Sequence, residues 1–117
     1  GKSKFLNAWE SAIMGKRNSA SWNGYCTHNI IKCQAPKGKE RFHPTQKPLK
    51  LIQELIKLTT KEDDIVLDPF MGSGTTAVGA KLLGRKFIGF EIDEKYYKLA
   101  QKRLNKTEKP ILKFSES

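Results

Sequence analysis

A glycine-rich segment after an apolar run is the part of the sequence whose residue types best fit a ligand-binding site. Residues 68–77 read DPFMGSGTTA and contain G-x-G-x-x-A directly after the letters IVL. Glycines there permit a sharp turn and close approach of the backbone to a ligand, and a following helix offers unpaired N–H groups. Glu91 ends the next apolar run, about 20 residues after Gly72, where a carboxylate can accept hydrogen bonds from both hydroxyls of a ribose. The spacing therefore predicts a site for a nucleoside-containing cofactor.

Several cofactors use a glycine loop of this kind, and Asp68 helps to separate them. A nucleoside triphosphate is disfavoured because no Lys followed by Ser or Thr comes after the glycines. A dinucleotide remains open, although a carboxylate at Asp68, where the strand meets the loop, would repel a pyrophosphate. S-adenosylmethionine has a ribose for Glu91 and cationic amino and sulfonium groups for Asp68. The pair of acids favours this cofactor over an ordinary tight turn capped by an aspartate.

The elements that would position these residues alternate between helix and strand. After residue 44 the sequence predicts a helix from Pro48 to about Thr59, a charged turn and a buried parallel strand Ile65–Leu67 that ends at Asp68. The loop Gly72–Gly74 and a helix Thr75–Leu83 closed by Gly84 follow. The last predicted elements are a strand Lys86–Ile92 and a helix Glu94–Leu104 with its N-cap at Asp93. Strand, glycine turn, helix, strand, acid and helix together predict a βαβ unit with parallel strands.

The part before this unit is less regular. We predict a strand, or a strand with its turn, over residues 5–16, a Ser/Asn/Gly-rich loop over 17–28, a short strand over 29–34 and a basic loop over 35–44.

Composition limits the classes of function. The 117 residues suit at most one domain, with 22 Lys and Arg against 12 Asp and Glu, a net charge of +10. Such a charge makes nucleic acid the first partner to consider, with a solvated basic surface as the alternative. No apolar run reaches the roughly 20 residues of a membrane span and no secretory pattern is present, so the default expectation is a cytoplasmic protein without a membrane partner.

The cysteines and histidines are the remaining metal-ligand candidates. Cys26, Cys33, His28 and His43 match no paired-ligand spacing of a tetrahedral zinc site. Free thiols in a reducing compartment are the favoured interpretation, and no metal is expected.

Three motifs carry a resemblance to a known family. HPTQKP (43–48), DPFMGSGTT (68–76) and GFEID (89–93) resemble, in order and spacing, the cofactor motifs of DNA amino-methyltransferases of the beta arrangement, which act on adenine N6 or cytosine N4. WESAIMGKR (9–17) and HNIIKC (28–33) resemble more loosely the strands that lead into them. The resemblance implies an incomplete Rossmann-like S-adenosylmethionine-dependent methyltransferase fold of class α/β, double-stranded DNA as partner and a place in restriction–modification. Residues 1–42 would end the catalytic and target-recognition part, and 43–117 would form the cofactor part.

The same resemblance assigns individual positions. Glu91 would hold the ribose, Ile92 would lie against the adenine, and Lys47 would face the methionine carboxylate. The full set of cofactor-binding residues that it implies is His43, Thr45, Gln46, Lys47, Asp68, Pro69, Phe70, Gly72, Ser73, Gly74, Glu91 and Ile92.

One family motif has no counterpart in these 117 residues. The catalytic loop of the family, Asp-Pro-Pro-Tyr or a close variant, holds the flipped target base, and no Pro-Pro-aromatic segment occurs here. With Gly1 rather than Met at the start, this leads us to expect a C-terminal fragment, a separately encoded half or a remnant, without catalytic residues and inactive alone. Its partner would be the N-terminal catalytic half. The alternative functions are a non-catalytic nucleic-acid-binding remnant and, opposed by Asp68 and HPTQKP, a nicotinamide-dependent oxidoreductase.

Overall fold

The structure, a computed structural model, describes residues 10–20, 22–23, 30–41 and 46–108. A 3-10 turn at Gly38–Glu40 precedes the regular elements, which are the helix α1 (Leu49–Thr59), the strand β1 (Ile65–Asp68), the helix α2 (Thr75–Leu82), the strand β2 (Lys86–Gly89) and the helix α3 (Glu94–Lys106). The alternating order predicted from the sequence after residue 44 is confirmed.

The two strands lie side by side and run parallel. Ile65 pairs with Lys86 and Asp68 with Gly89, and the backbone bonding continues past the strand ends, where Met71 N–H donates to the Phe90 carbonyl at 3.0 Å. The predicted α/β unit with adjacent parallel strands is therefore confirmed. Because parallel strands end at the same edge, the chain segments after Asp68 and Gly89 come together there. β2 stops at Gly89, short of the predicted Ile92, because β1 ends at Asp68 and the chain turns there, leaving only the backbone bonds of Phe90 to Asp68 and Met71.

The core lies between α2 and its neighbours. Ala77 and Ala80 are fully buried and Val78 is 7% exposed, so the small residues of α2 let it approach both the sheet and α1. A Cβ placed on Gly79 would lie 3.4 Å from both Ile52 and Ile56 of α1, which is ordinary contact and indicates a close helix pair. The start of α2, directly after the glycine loop, is thereby fixed against the rest of the fold.

The opposite face of the sheet is apolar and exposed. Ile65, Leu67 and Ile88 are 60%, 62% and 47% exposed, alternating with partly buried residues that face α2. The prediction that β1 is a buried strand is thus correct for one face only. Parallel sheets usually have both faces covered, and no described element covers this one.

The strands predicted before residue 35 are wrong where the structure describes them. Residues 10–16 and 30–34 form no strand, and the rest of those predictions lies outside the described ranges. A strand needs a hydrogen-bonding neighbour, and neither segment pairs with β1 or β2. A different contact ties the early chain to the fold, since Asn23 N–H donates to Leu58 O at 2.8 Å and its side chain to Thr60 O at 2.6 Å. The predicted loop over the described residues 35–41 is confirmed apart from its short 3-10 turn.

The sequence predicts neither a membrane span nor a metal site. Within the described ranges no helix is both long and apolar enough to cross a bilayer. The same residues hold no group of three or more potential metal ligands, and Cys33 is a free thiol. Cys26, His28 and His43 lie outside what the structure describes.

Candidate functional site

The glycine loop joins β1 to α2 through two left-handed glycines. Phe70 N–H donates to Asp68 Oδ1 at 3.1 Å, which turns the chain directly after the strand. Gly72 and Gly74 have φ of 54° and 87°, a region that favours glycine. A Cβ on Gly74 would also lie 2.8 Å from the Cβ of Ala100 in α3. The close approach at Gly74 is therefore to a helix of the same chain.

Glu91, two residues after the end of β2, binds the backbone of this loop. Its Oε2 accepts the Gly72 N–H at 2.8 Å and its Oε1 accepts the Asp93 N–H at 3.0 Å. An ionised carboxylate offers about four acceptor positions, so about two remain for a ligand. Asp93 in turn accepts from Lys95 and Tyr96 N–H, which confirms it as the N-cap of α3. Glu91 is thus held in place by backbone groups while keeping acceptor capacity.

A residue that the sequence reasoning did not single out also holds the loop. Arg103 Nη1 lies 2.8 Å from the Ser73 carbonyl and 3.2 Å from both the Ser73 and the Thr75 hydroxyls. Desolvation by burial lowers the pKa of the Arg103 guanidinium, which still remains charged at neutral pH. Arg103 lies three residues after Ala100, on the α3 face that meets Gly74, and only the fold reveals that contact.

A cavity of about 310 Å³ lies between the glycine loop, the start of α1 and Glu91. Its volume is at the lower end of the range of small-molecule sites, roughly 300–1,000 Å³. The predicted site residues that line it are Gln46, Lys47, Asp68, Phe70, Gly72, Ser73 and Glu91. The structure therefore brings together residues that are separated by up to 45 positions in the chain (91 − 46).

The remaining predicted site residues either do not line the cavity or lie outside the described residues. Pro69, Gly74 and Ile92 do not line the cavity, and Ile92 is fully exposed, so its contact with an adenine stays a prediction. His43 and Thr45 lie outside the described residues.

Four lining residues were not predicted, namely Ile52, Met71, Thr75 and Thr76. The two threonines begin α2, which has no side-chain N-cap, and their position directly after the loop was the available signal. Ile52 reaches the cavity from α1, a tertiary contact that the helical spacing alone does not reveal.

The charges at the cavity are mostly negative. Asp68 Oδ2 accepts no hydrogen bond from the described residues, so this carboxylate oxygen is available to a cationic or N–H-bearing ligand. Lys47, which also lines the cavity, forms an ion pair with Glu10 at 2.7 Å, and both side chains are largely exposed at 48% and 73%. The arrangement can bind a ligand that carries hydroxyls beside a cation. It contains no nucleophile activated by a neighbouring base among the residues that line it.

Comparison with known proteins agrees with this geometry. A model of the DNA methylase family matches residues 2–102. Type II methyltransferase M2.LlaDCHI of Lactococcus lactis subsp. cremoris is 50% identical over 92 residues, which are 79% of this chain and 32% of that protein. Type II methyltransferase M.HindIII of Haemophilus influenzae is 48% identical over 99 residues, 81% of this chain and 32% of the relative. The chain thus spans about a third of the length of these curated relatives.

A solved structure shows the same relationship in three dimensions. The crystal structure of an M1.HpyAVI–SAM complex superposes with a TM-score of 0.63 at 44% sequence identity, covering 72% of this chain and 43% of that one. The α/β unit described above is accordingly part of a Rossmann-like methyltransferase fold. Since the family model extends over nearly the whole chain, and relatives and a solved structure agree with it, the chain belongs to the DNA methylase family, the adenine-N6 and cytosine-N4 amino-methyltransferases.

Proposed function

We propose that the cavity binds S-adenosylmethionine and that the chain is the cofactor-binding portion of a DNA amino-methyltransferase. The observation that carries the proposal is that Glu91 binds the Gly72 backbone in the same cavity as Asp68, whose Oδ2 accepts no hydrogen bond from the part of the chain that the structure describes. S-adenosylmethionine supplies a methyl group made electrophilic by its bond to a sulfonium. The M1.HpyAVI structure was solved as a complex with this molecule, which supports the choice of ligand.

The two carboxylates fit separate parts of that cofactor. Glu91 uses about two of its four acceptor positions on backbone N–H groups and has capacity left for the two ribose hydroxyls. Asp68 offers its free oxygen to the cationic methionine end. A carboxylate beside a cation in a partly enclosed cavity is stabilising, whereas the pyrophosphate of a dinucleotide would be repelled there. The same two acids therefore favour S-adenosylmethionine over NAD.

Lys47 is proposed to contact the methionine carboxylate. In the structure its ammonium pairs with Glu10, but an exposed pair of this kind contributes only about 0–1 kcal/mol. Exchanging Glu10 for a ligand carboxylate therefore costs little. His43, Thr45, Gln46 and Ile92 keep their assignments as further cofactor contacts within this proposal.

The chemical step needs groups beyond the cofactor site. Transfer of a methyl group to an exocyclic amine requires an acceptor that holds the amine in line and a wall for the extruded base. The 117 residues contain no Asp-Pro-Pro-Tyr-like segment for these tasks. We propose that an N-terminal catalytic part supplies them and covers the exposed apolar face formed by Ile65, Leu67 and Ile88. Double-stranded DNA would then be the substrate.

Titration calorimetry with S-adenosylmethionine and with NAD tests the cofactor assignment. We expect the chain to bind the former and not the latter, and Asp68→Asn or Glu91→Gln to raise the Kd about tenfold, equivalent to about 1.4 kcal/mol. Glu94→Gln is the matched control, because this acid is exposed, pairs with Lys98 and does not line the cavity. Equal affinity of all variants would refute the site. Binding of duplex DNA without any binding of S-adenosylmethionine would favour the nucleic-acid-binding remnant.

A label-transfer assay tests whether methyl transfer to DNA requires the proposed catalytic part in addition to this chain. Incubated with methyl-labelled S-adenosylmethionine and mixed-sequence duplex DNA, the chain alone is expected to transfer no label. Activity is expected only when a polypeptide with the catalytic loop is added. Sustained transfer by the chain alone would show that the proposed dependence on a second part is wrong.

A further inference from the structure

We infer that Arg103 is a positioning residue, which fixes the glycine loop in the conformation that receives the cofactor. The inference rests on the proposed function for the identity of the ligand. Arg103 does not line the cavity, so its effect is exerted through Ser73 and Thr75, which do.

The contacts of Arg103 converge on the turn between the loop and α2. One guanidinium nitrogen reaches the backbone oxygen and the hydroxyl of Ser73 and the hydroxyl of Thr75, at 2.8, 3.2 and 3.2 Å. Ser73 and Thr75 are 3% and 7% exposed, so their oxygen atoms have little access to water and depend on this donor. The loop residues on both sides of Gly74 are thereby tied to α3.

Stabilisation of α2 does not account for this placement, although a cation in the last turn of α3 is favourable to α3. A cation at the start of α2 faces the positive end of the helix dipole, which is unfavourable. Burial adds a cost, as the lowered pKa of Arg103 indicates. The hydrogen bonds to Ser73 and Thr75 help to offset these costs, and they act on the loop and the start of α2.

The other end of the same segment holds the loop as well. Glu91, three residues before the start of α3, accepts the Gly72 N–H, while Ala100 contacts Gly74 and Arg103 binds Ser73. Successive loop residues are thus held by Glu91, in the connection between β2 and α3, and by two residues of α3 itself. Arg103 completes this set, and without it the Ser73–Thr75 part of the loop is expected to sample other conformations.

Amide hydrogen exchange in the ligand-free chain tests the inference directly. Arg103→Met replaces the guanidinium side chain with an unbranched apolar one. In this variant we expect faster exchange at Gly74 and Val78, whose N–H groups bond within and just after the loop. Exchange at Tyr97 and Thr60, in α3 and after α1, is expected to change little. Lys102→Met is the matched control, because Lys102 is an exposed neighbour with the same charge.

Calorimetry with S-adenosylmethionine gives the second measurement. We expect Arg103→Met to raise the Kd about tenfold and Arg103→Lys, which keeps a donor but loses the planar fork, to lie between it and the parent. If Arg103→Met does not fold, Arg103→Lys decides by the same two measurements. Unchanged loop exchange, or a uniform increase over the whole chain, would overturn the inference. Should the parent not bind S-adenosylmethionine, the proposed function fails while the exchange data still decide the role of Arg103.

Discussion

Replacing Gly74 with alanine perturbs the contact between the glycine loop and α3, and the resulting loss in the free energy of unfolding follows from the geometry. The residue has φ of 87°, and an alanine in this left-handed region costs about 1–2 kcal/mol. The new Cβ would lie 2.8 Å from the Ala100 Cβ and 3.1 Å from its Cα, and overpacking of this kind costs about 1–3 kcal/mol. Gly74→Ala should therefore lower the free energy of unfolding by about 2–5 kcal/mol, a large fraction of the roughly 5–15 kcal/mol of a typical domain.

Two other glycines separate the components of this cost. Gly38 has φ of 54° and nothing within 4 Å of an added Cβ, so Gly38→Ala carries backbone strain without a clash. Gly15 has neither feature, and Gly15→Ala provides the baseline. Urea unfolding followed by circular dichroism measures all three variants. We expect the order Gly15→Ala, Gly38→Ala, Gly74→Ala, with the last clearly the least stable.

A second substitution identifies the clashing partner. Ala100→Gly removes the nearest atom, at a cost of about 1 kcal/mol for glycine within a helix. In the double variant Gly74→Ala/Ala100→Gly, the loss should be smaller than the sum of the single losses, because the shortest contact is gone. Strict additivity, or Gly74→Ala being as stable as Gly38→Ala, would refute the argument that α3 requires glycine at this position.

The remaining predictions concern stability and charge around the same unit. Asp93→Ala removes the acceptor for two N–H groups and should lower the free energy of unfolding in urea by about 0.5–2 kcal/mol. Leu67→Ser, on the exposed sheet face, should change that free energy by less than about 1 kcal/mol. Val78→Ala, in the core, should lower it by about 2 kcal/mol. Lys47→Met should alter it by less than about 1 kcal/mol, yet weaken the binding of S-adenosylmethionine in calorimetry.

Each of these has its own control and contrary outcome. Glu94→Ala removes a neighbouring exposed acid that caps nothing, so an equal loss there would contradict the capping role of Asp93. A greater loss for Leu67→Ser than for Val78→Ala would mean that the sheet face is covered in the isolated chain. Lys57→Met breaks a comparable exposed pair with Glu54 away from the cavity, and an identical effect on affinity would remove Lys47 from the site.

The parts of the fold that the sequence predicted are those that depend on neighbouring residues. The apolar run before Asp68, the glycines after it and the cap at Asp93 each specify their structure through local geometry, and all three occur as expected. The predicted strands over 5–16 and 29–34 depended instead on a pairing partner that the pattern does not contain. Their described residues accordingly make no ladder with β1 or β2.

In the candidate site, too, the residues that could be predicted are those placed by motif spacing. Asp68, Gly72 and Glu91 were found because motif spacing places them at the ends of adjacent parallel strands. Arg103 was missed because its partners lie 30 and 28 residues earlier, and nothing in the helical pattern of α3 distinguishes it from the other basic residues there. Lys47 was predicted to face the methionine carboxylate, and its pairing with Glu10 joins two positions that no local rule connects.

The loop and its supports nevertheless form a unit that is complete within residues 68–103. Glu91 binds Gly72, Ala100 contacts Gly74, and Arg103 binds Ser73, so the segment from Glu91 through α3 holds the loop together with the bonds that the loop makes within itself. The exposed face of the sheet takes no part in these contacts, since it lies on the other side of the strands from α2. The glycine-loop side of the proposed cofactor site can therefore keep its geometry while that face is uncovered. If the proposed function is correct, we therefore expect that this chain binds the methyl donor by itself, and that transfer of the methyl group occurs only with the proposed catalytic part.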